Sequence, residues 1–376
     1  MKPFYRIFLL LSVLLLTACE RPELQLDVDG AWDPLVRKSL NALMHNHKDK
    51  GNYAVFDFDK TSIVHDVSQA LWVYQVENLR YADAPAHAFL DGIPDTGRMI
   101  DGISFAEMGA TLQEDYSKLA TMRAEGKTLE EIHSTPEYLD FRARMLTLLL
   151  DMDDEFGYDV SYLWMPGLLA GYTEDEARSV VRDAIAAELG RDRLLVEEWV
   201  SPDGNWGGAC ERGIWFPPEM KQLYGCLSDN GITPYVCSAS LELIVEVLAC
   251  DSELGVGLPP EQVFGLRFVP GEIMEAVYDS TYVQPIREGK VSCIEKWMAS
   301  QHGGKGPVLV GGDSNGDVAM LSSFPDMVYG LIIDVGRSPE SAIGKLATQA
   351  REQPGVRYLL QPAFATATGR MAGGGI

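Results

Sequence analysis

Residues 52–61 read NYAVFDFDKT. The stretch begins with a short apolar, aromatic and β-branched run, which predicts a buried strand. Asp57 and Asp59 follow that run, with one residue between them. Open α/β sheets bind their ligands in the crevice at the carboxyl ends of the strands, so we expect both carboxylates to face a ligand site. Taken alone, the same acidic string also fits a calcium loop or a simple turn.

The C-terminal half of the chain alternates helices with strands. Beyond Pro217 and Pro218, helical spacing of apolar residues predicts helices at 219–230, 241–249, 291–300, 318–322 and 340–351. Short apolar runs between them predict strands at 232–237, 263–269, 307–312 and 327–334. Strands that alternate with helices indicate βαβ units, and therefore a parallel sheet covered by helices.

A long helical block separates the first strand from these elements, with predicted helices at 67–80, 105–125, 129–151 and 174–189. We therefore predict an α/β fold: a Rossmann-like parallel sheet core with helices on both faces, and a large, mostly helical cap inserted after the first strand. The predicted units are a signal peptide (1–18), a lipidated segment with a lead-in helix (19–50), the core (51–63 and 215–352), the cap (64–214) and a C-terminal tail (353–376).

The charge balance excludes one class of partner. The 376 residues contain 55 acidic and 31 basic side chains, which give a formal net charge of −24. Nucleic-acid binding needs clustered Lys and Arg against the phosphate backbone, so we expect no nucleic-acid partner.

The N-terminus predicts export. Lys2 and Arg6 precede a short apolar run that ends at Ala18. This run is too short to span a bilayer and is typical of a secretory signal, although an uncleaved anchor or a buried helix is the alternative. Cys19 follows small residues, as in bacterial lipoproteins, and we expect it to be lipidated. The predicted location is the periplasmic side of the cell envelope, on the inner or the outer membrane. The disulfide state of the five other cysteines stays open.

Four further residues lie at predicted strand ends or helix starts. Ser238 ends a strand where a helix begins, Lys290 precedes another helix, and Asp313 and Asp317 follow the strand at 307–312. A hydroxyl at a helix N-terminus can bind phosphate, and paired acids beside a phosphate suit Mg²⁺. Each alone also has an ordinary interpretation, as a helix cap or a solvated side chain. The combination, in this order, is far more specific.

Together these residues resemble the four motifs of the haloacid dehalogenase superfamily. The first motif matches residues 57–61, the second Ser238, the third Lys290, and the fourth Asp313 with Asp317. Residues 215–220 (WFPPEM) and 238–240 (SAS) are most similar to the phosphoserine-phosphatase-like branch, and within it to the exported phosphorylcholine phosphatases.

This resemblance implies a phosphatase with defined roles for its residues. Asp57 is the implied nucleophile, and Asp59 the acid that protonates the leaving oxygen and then activates water. Ser238, Lys290 and Thr61 would bind the phosphate. Mg²⁺ would be held by Asp57, the backbone carbonyl of Asp59, and Asp313, with Asp317 orienting the metal site. A catalytically inactive binding lipoprotein on the same fold is the alternative.

The expected substrate is a small polar phosphomonoester, with phosphorylcholine ahead of phosphoserine. Four aromatic residues are candidates to enclose a trimethylammonium group, because aromatic faces bind such cations: Trp72, Tyr74, Tyr162 and Trp164. Packing inside the cap is the alternative for each of them.

Overall fold

The structure, a computed structural model, describes residues 25–27, 29–82, 89–100, 102–189 and 195–364. The predicted signal peptide and Cys19 lie outside the described residues. Within the described part of the chain, no helix is long and apolar enough to span a bilayer. All five cysteines of this part, Cys210, Cys226, Cys237, Cys250 and Cys293, are free thiols.

A six-stranded parallel sheet forms the core, in the order β10-β9-β8-β1-β6-β7. Its strands are β1 (Tyr53–Phe56), β6 (Thr233–Leu241), β7 (Val263–Leu266), β8 (Leu309–Gly312), β9 (Tyr329–Asp334) and β10 (Tyr358–Pro362). β1 lies in the middle, where Ala54 is in register with Pro234 of β6 and with Leu309 of β8. The carboxyl ends of β6, β1 and β8 therefore lie side by side.

Helices cover both faces because alternate side chains of β1 point to opposite sides. Ala54 and Phe56 join an apolar cluster with helices α1 (Pro34–His47), α8 (Pro218–Asp229) and α9 (Glu242–Ala249). Tyr53 and Val55 join a second cluster with helices α10 (Glu288–Cys293), α11 (Val318–Ser323) and α12 (Ala342–Glu352). This confirms the predicted fold class.

The inserted segment forms the cap. Its helices are α2 (Val67–Asn78), α3 (Phe105–Ala124), α4 (Leu129–His133), α5 (Pro136–Phe156), α6 (Tyr158–Gly167) and α7 (Glu174–Glu188). Two hairpins complete it: β2 (Met99–Ile100) with β3 (Ile103–Ser104), and β4 (Leu195–Val200) with β5 (Gly207–Arg212). The cap has an apolar cluster of its own, whereas α7 packs into the cluster of the core. Val64 and Trp215 pair where the chain leaves and re-enters the core.

The cap differs from the prediction in several places, since α6 and the β2–β3 hairpin were not predicted. The helix expected at 129–151 is two helices, because Ser134 ends α4 and Thr135 caps a new helix that starts at Pro136. The β4–β5 hairpin lies partly in a region expected to be mostly helical. Along β4 only Trp199 is buried, so the strand offers almost no apolar periodicity to the sequence.

The C-terminal segment also differs from the prediction. β10 lies inside residues 353–376, which we expected to be a tail, and pairs with β9 along its full length. The buried side chain of Gln361 joins it to the N-terminal lead-in: its amide oxygen accepts from the backbone N–H of Asp33, and its amide nitrogen donates to the carbonyl of Ala31. The core therefore extends at least to Pro362.

Candidate active site

Asp57 stands at the carboxyl end of the central strand. Its backbone N–H donates to the carbonyl of Gly311 on β8 (3.0 Å), and its own carbonyl accepts from the hydroxyl of Ser62 (2.7 Å). The carboxylate is buried and lies 2.8 Å from the ammonium of Lys290. Backbone and side chain are thus both fixed at the edge where the parallel strands end.

Lys290 bridges two buried acids, Asp57 and Asp317, at 2.8 and 2.6 Å. Burial alone would lower the pKa of this lysine, but the two carboxylates raise it above its ordinary value, so the ammonium stays charged. The turn before α10 sets its position. Arg287 has a left-handed φ of 51°, and a side chain at Gly289 would collide with the carbonyl oxygen of Gln284.

Asp317 organises the loop that follows β8. One of its carboxylate oxygens accepts from the backbone N–H groups of Asp313 and Ser314, both at 3.0 Å, and from the Ser314 hydroxyl. Gly312 makes this approach possible, since a Cβ there would lie 2.5 Å from the Cβ of Asp317. The acid is fully buried and held by four donors, counting Lys290.

The acids Asp57, Asp313 and Asp317 form a cluster that fits a hard cation. One carboxylate oxygen from each lies within 4.8 Å of the others, and all three side chains are buried. Burial raises the pKa of Asp313 to about 6, with Asp317 adding to the effect. Burial likewise raises the pKa of Asp57 well above its ordinary value, with Asp317 adding and Lys290 opposing. Crowded carboxylates of this kind gain from a divalent ion, and an all-oxygen donor set suits Mg²⁺.

The carboxylate of Asp59 is not part of that cluster, because both of its oxygens are hydrogen-bonded to other residues. One oxygen accepts from the backbone N–H of Val67 (2.7 Å) and the other from the hydroxyl of Ser240 (2.6 Å). Ser240 in turn accepts from the hydroxyl of Ser68 (2.9 Å). Burial, followed by the nearby Asp66, raises the pKa of Asp59 well above its ordinary value, so this carboxyl keeps a proton at higher pH than a solvated one.

These residues face a cavity of about 410 Å³ between core and cap. The acids Asp57, Asp59 and Asp313 lie on its inner side with Lys290. The remaining charged and aromatic lining residues are Lys60, Asp153, Tyr162, Arg287 and Arg337. The site therefore combines buried carboxylates with several cations around one opening, which suits an anionic ligand bound together with a metal.

Comparison with known proteins identifies similar chains. No family model matches the sequence. A conserved functionally unknown protein from Anaerococcus prevotii is 30% identical, with a TM-score of 0.77 over 89% of this chain and 93% of that one. Phosphorylcholine phosphatase from Pseudomonas aeruginosa is 23% identical over 318 residues, which are 75% of this chain and 74% of that protein. The chain belongs to the family of the Anaerococcus protein. Its parallel six-stranded sheet with an inserted helical cap is the fold that the resemblance in the sequence implied.

Ser238, the predicted second-motif serine, lies elsewhere than expected. β6 continues to Leu241 and α9 begins at Glu242, so Ser238 is not at a helix N-terminus. Its hydroxyl is fully buried and accepts from the backbone N–H of Ser240 (3.0 Å). Thr61 donates to Asp313 (3.2 Å). Neither residue is among the described residues that line the cavity, so their predicted phosphate contacts would require a shift of the hydroxyls.

Of the four cap aromatics, only Tyr162 lines the cavity among the described residues. Its hydroxyl donates to Asp66 (2.7 Å), the acid that caps α2. Trp72 and Trp164 are buried in the apolar cluster of the cap, and Tyr74 packs against that of the core. The structure therefore does not bring the four aromatic residues together at this cavity. Trp72 packs against Trp199 of the unpredicted hairpin, and the Trp164 indole donates to the carbonyl of Phe89.

Several residues of the site were not found from the sequence, among them Ser240, Arg337 and Asp153. Ser240 is two positions beyond Ser238, and Arg337 follows the carboxyl end of β9 just as Asp313 follows β8. That position was the available signal for Arg337, because strand ends of a parallel sheet share one edge. Asp153 lies near the end of α5 and accepts from Ser161 (2.9 Å), and nothing in its sequence context separates it from other acids of that helix.

Proposed function

We propose that this protein is a phosphatase: a Mg²⁺-dependent phosphomonoesterase that carries the phosphoryl group on Asp57. One observation carries the proposal. A buried carboxylate at the end of the central strand is paired with a buried lysine and lies in a cluster with two further acids, while Asp59 opens into the same cavity. The similarity to the Pseudomonas phosphorylcholine phosphatase supports the same activity class.

In the first step a carboxylate oxygen of Asp57 bonds to phosphorus as the phosphorus–oxygen ester bond breaks. Asp59 donates its proton to the departing alcohol oxygen, and its raised pKa keeps that proton available. Ser240 and the Val67 N–H hold the Asp59 carboxyl in place. Lys290 supplies a fixed positive charge beside Asp57, where negative charge accumulates on the phosphoryl oxygens.

In the second step Asp59, now a carboxylate, takes a proton from water. The water oxygen bonds to phosphorus, the bond to Asp57 breaks, and inorganic phosphate leaves. Splitting one displacement into two lets the same acid serve both directions of proton transfer. When bound by Asp57, Asp313 and the backbone carbonyl of Asp59, Mg²⁺ would neutralise charge on the phosphoryl oxygens. Asp317, held by its four donors, would keep Asp313 in position.

For the substrate we favour a small phosphomonoester with a cationic group, phosphorylcholine ahead of phosphoserine. On the cap side of the cavity, Asp153 offers a negative charge and Tyr162 an aromatic ring. A site with a carboxylate and an aromatic face binds a ligand with an ammonium group more tightly than a ligand with a neutral alcohol group. The relative's activity is the main further support for this choice.

We also propose that the protein is exported and lipid-anchored through Cys19 on the periplasmic side of the envelope. The support is the sequence pattern of residues 1–19. Incorporation of labelled palmitate into the full chain tests this. We expect label in the parent and in Cys250→Ser, and none in Cys19→Ala; equal labelling of all three would contradict the anchor.

Protein lacking residues 1–18 gives the direct test of the activity. We expect it to hydrolyse an aryl phosphate with Mg²⁺ and to lose turnover in EDTA. Full activity in EDTA would refute the role of the metal. No hydrolysis of any phosphomonoester in a broad panel, together with no aluminium fluoride adduct at Asp57, would favour the inactive binding protein instead.

The same protein tests the substrate. We expect a higher kcat/KM for phosphorylcholine than for glycerol phosphate, and a raised KM for phosphorylcholine alone in Asp153→Asn. Equal kcat/KM values would remove phosphorylcholine as the preferred substrate. The aryl phosphate, which carries no ammonium group, is the matched control.

A further inference from the structure

The loop between β9 and α12 brings an arginine to the phosphatase site. Arg337 lies three residues beyond the end of β9. Its guanidinium Nη2 lies 2.8 Å from a carboxylate oxygen of Asp313. Asp313 is almost fully buried, whereas 44% of the Arg337 side chain is exposed, and the arginine lines the same cavity as Asp57 and Lys290. It therefore reaches from the opening of the cavity to the acid cluster.

A phosphate bound beside the acid cluster needs a further positive charge. With all three acids ionised, the cluster of Asp57, Asp313 and Asp317 together with Lys290 carries two surplus negative charges. A divalent cation would balance these two charges. A phosphate monoester brings nearly two more at neutral pH. Without further positive charge at the cavity wall, the charge of the bound phosphate would stay uncompensated.

The two lysines that line the cavity, Lys60 and Lys290, are less well placed for this task. Lys290 is fully buried between Asp57 and Asp317. Lys60 pairs with Glu211 at 3.3 Å, so its charge is already engaged by a carboxylate outside the acid cluster. Arg337 is in direct contact with Asp313, and one nitrogen makes that contact. A guanidinium has five N–H donors in a planar fork, which matches the oxygens of a phosphate.

We propose that Arg337 is a phosphate-binding residue of this site, with its guanidinium shared between Asp313 and the oxygens of the phosphoryl group. The inference rests on the proposed phosphatase function and adds a fifth position to the four motifs. Arg337 would neutralise the charge that Mg²⁺ and Lys290 leave on the phosphate. The competing interpretation is a purely structural ion pair that holds Asp313.

Binding of inorganic phosphate separates the two interpretations without turnover. Calorimetry is carried out with saturating Mg²⁺ on the parent protein lacking residues 1–18 and on Arg337→Gln, Arg337→Lys and Arg351→Gln. Arg351 is the matched control, because it makes a similar arginine–aspartate pair with Asp334 (2.6 Å) and does not line the site cavity. All four proteins are first compared by thermal unfolding.

We expect the Kd for phosphate to rise about tenfold or more in Arg337→Gln, since a charge-assisted contact is lost. Arg337→Lys should show a smaller rise, because the charge stays but the fork is lost. Arg351→Gln should bind phosphate like the parent. In the aryl phosphate assay, Arg337→Gln should raise KM more than Arg351→Gln does.

Unchanged phosphate affinity in Arg337→Gln would overturn the inference, even if its Mg²⁺ affinity changed, because a structural pair would act on the metal site alone. If Arg337→Gln does not fold, Arg337→Lys decides, and parental phosphate affinity in that variant overturns the inference. Failure of the proposed function looks different: the parent would hydrolyse no phosphomonoester and yet bind phosphate in an Arg337-dependent way.

Discussion

The ammonium of Lys290 lies 2.6 Å from a carboxylate oxygen of Asp317, and both side chains are buried. The same ammonium contacts Asp57, so one positive charge is shared by two acids that follow different strands, β1 and β8. Removing the lysine would leave both acids buried without their partner, which is far more costly than removing an exposed ion pair.

Lys290→Ala should therefore lose both activity and stability. We expect kcat to fall at least about a hundredfold, since charge beside the phosphoryl group is lost. The metal-free protein should lose about 3–5 kcal/mol of unfolding free energy. Lys296→Ala, at an exposed position a few residues further along, is the control for both measurements. Parental kcat in Lys290→Ala would remove this lysine from the active site.

Asp57→Asn should abolish turnover and leave the protein folded. Because burial and Asp317 raise the pKa of Asp57, the ionised carboxylate costs stability at neutral pH in the absence of metal. We expect the metal-free variant to melt at or above the temperature of the parent. Asp334→Asn, at the end of β9, is the control and should keep its turnover. A measurable single-turnover burst in Asp57→Asn would contradict the role of Asp57 as the nucleophile.

Ser240→Ala tests how Asp59 is held. The hydroxyl lies 2.6 Å from the Asp59 carboxylate, so its loss should misplace the acid and lower kcat about tenfold. Phosphate affinity should stay near that of the parent, because Ser240 is not among the residues that line the cavity. Ser238→Ala is the comparison: if the predicted phosphate role of Ser238 holds, its KM rises instead. Identical changes of kcat and KM in both variants would refute these separate roles of Ser240 and Ser238.

Asp115 provides a pH test of stability remote from the site. Burial raises its pKa to about 6, with Asp140 adding and Lys118 opposing. An acid whose pKa is higher in the folded state loses stability as the pH rises through that folded value. Asp115→Asn removes this loss, so it should melt a few degrees above the parent at pH 7.5 and gain nothing at pH 4.

Glu114→Gln is the control for that experiment, since Glu114 is mostly exposed and pairs with the same lysine at 3.0 Å. We expect no pH-dependent gain from it. A gain of equal size at both pH values in Asp115→Asn would show that packing, rather than ionisation, sets the difference.

The sequence predicted the strand ends well because chemistry and hydrophobic pattern coincide there. Asp57 and Asp313 each follow a short, fully buried strand, and the parallel order of β1 and β8 brings them together. Arg337 follows β9 in the same way, but a lone arginine after a strand carries no motif. Its importance depends on the reach of a long side chain to Asp313, which spacing along the chain does not encode.

The cap was predicted less well, for a physical reason. Whether Trp72 faces a ligand or a core depends on what packs over it, and that is Trp199 of the β4–β5 hairpin. β4 buries only Trp199, so the sequence pattern of that strand is weak. The side of a helix that carries aromatic residues can be predicted from their spacing, but the element that covers it cannot.

The central position of β1 has a consequence for synthesis. Both neighbours of this strand, β6 and β8, are encoded after the whole cap, so β1 has no partner in the sheet until residue 233 has left the ribosome. Such distant pairing makes closing the sheet slow, whereas the cap, with its own apolar cluster, can condense first. A chain that stops before Asp317 carries Asp57, the proposed nucleophile, without the complete lysine bridge. We therefore expect no turnover from the chain until almost all of it has been made.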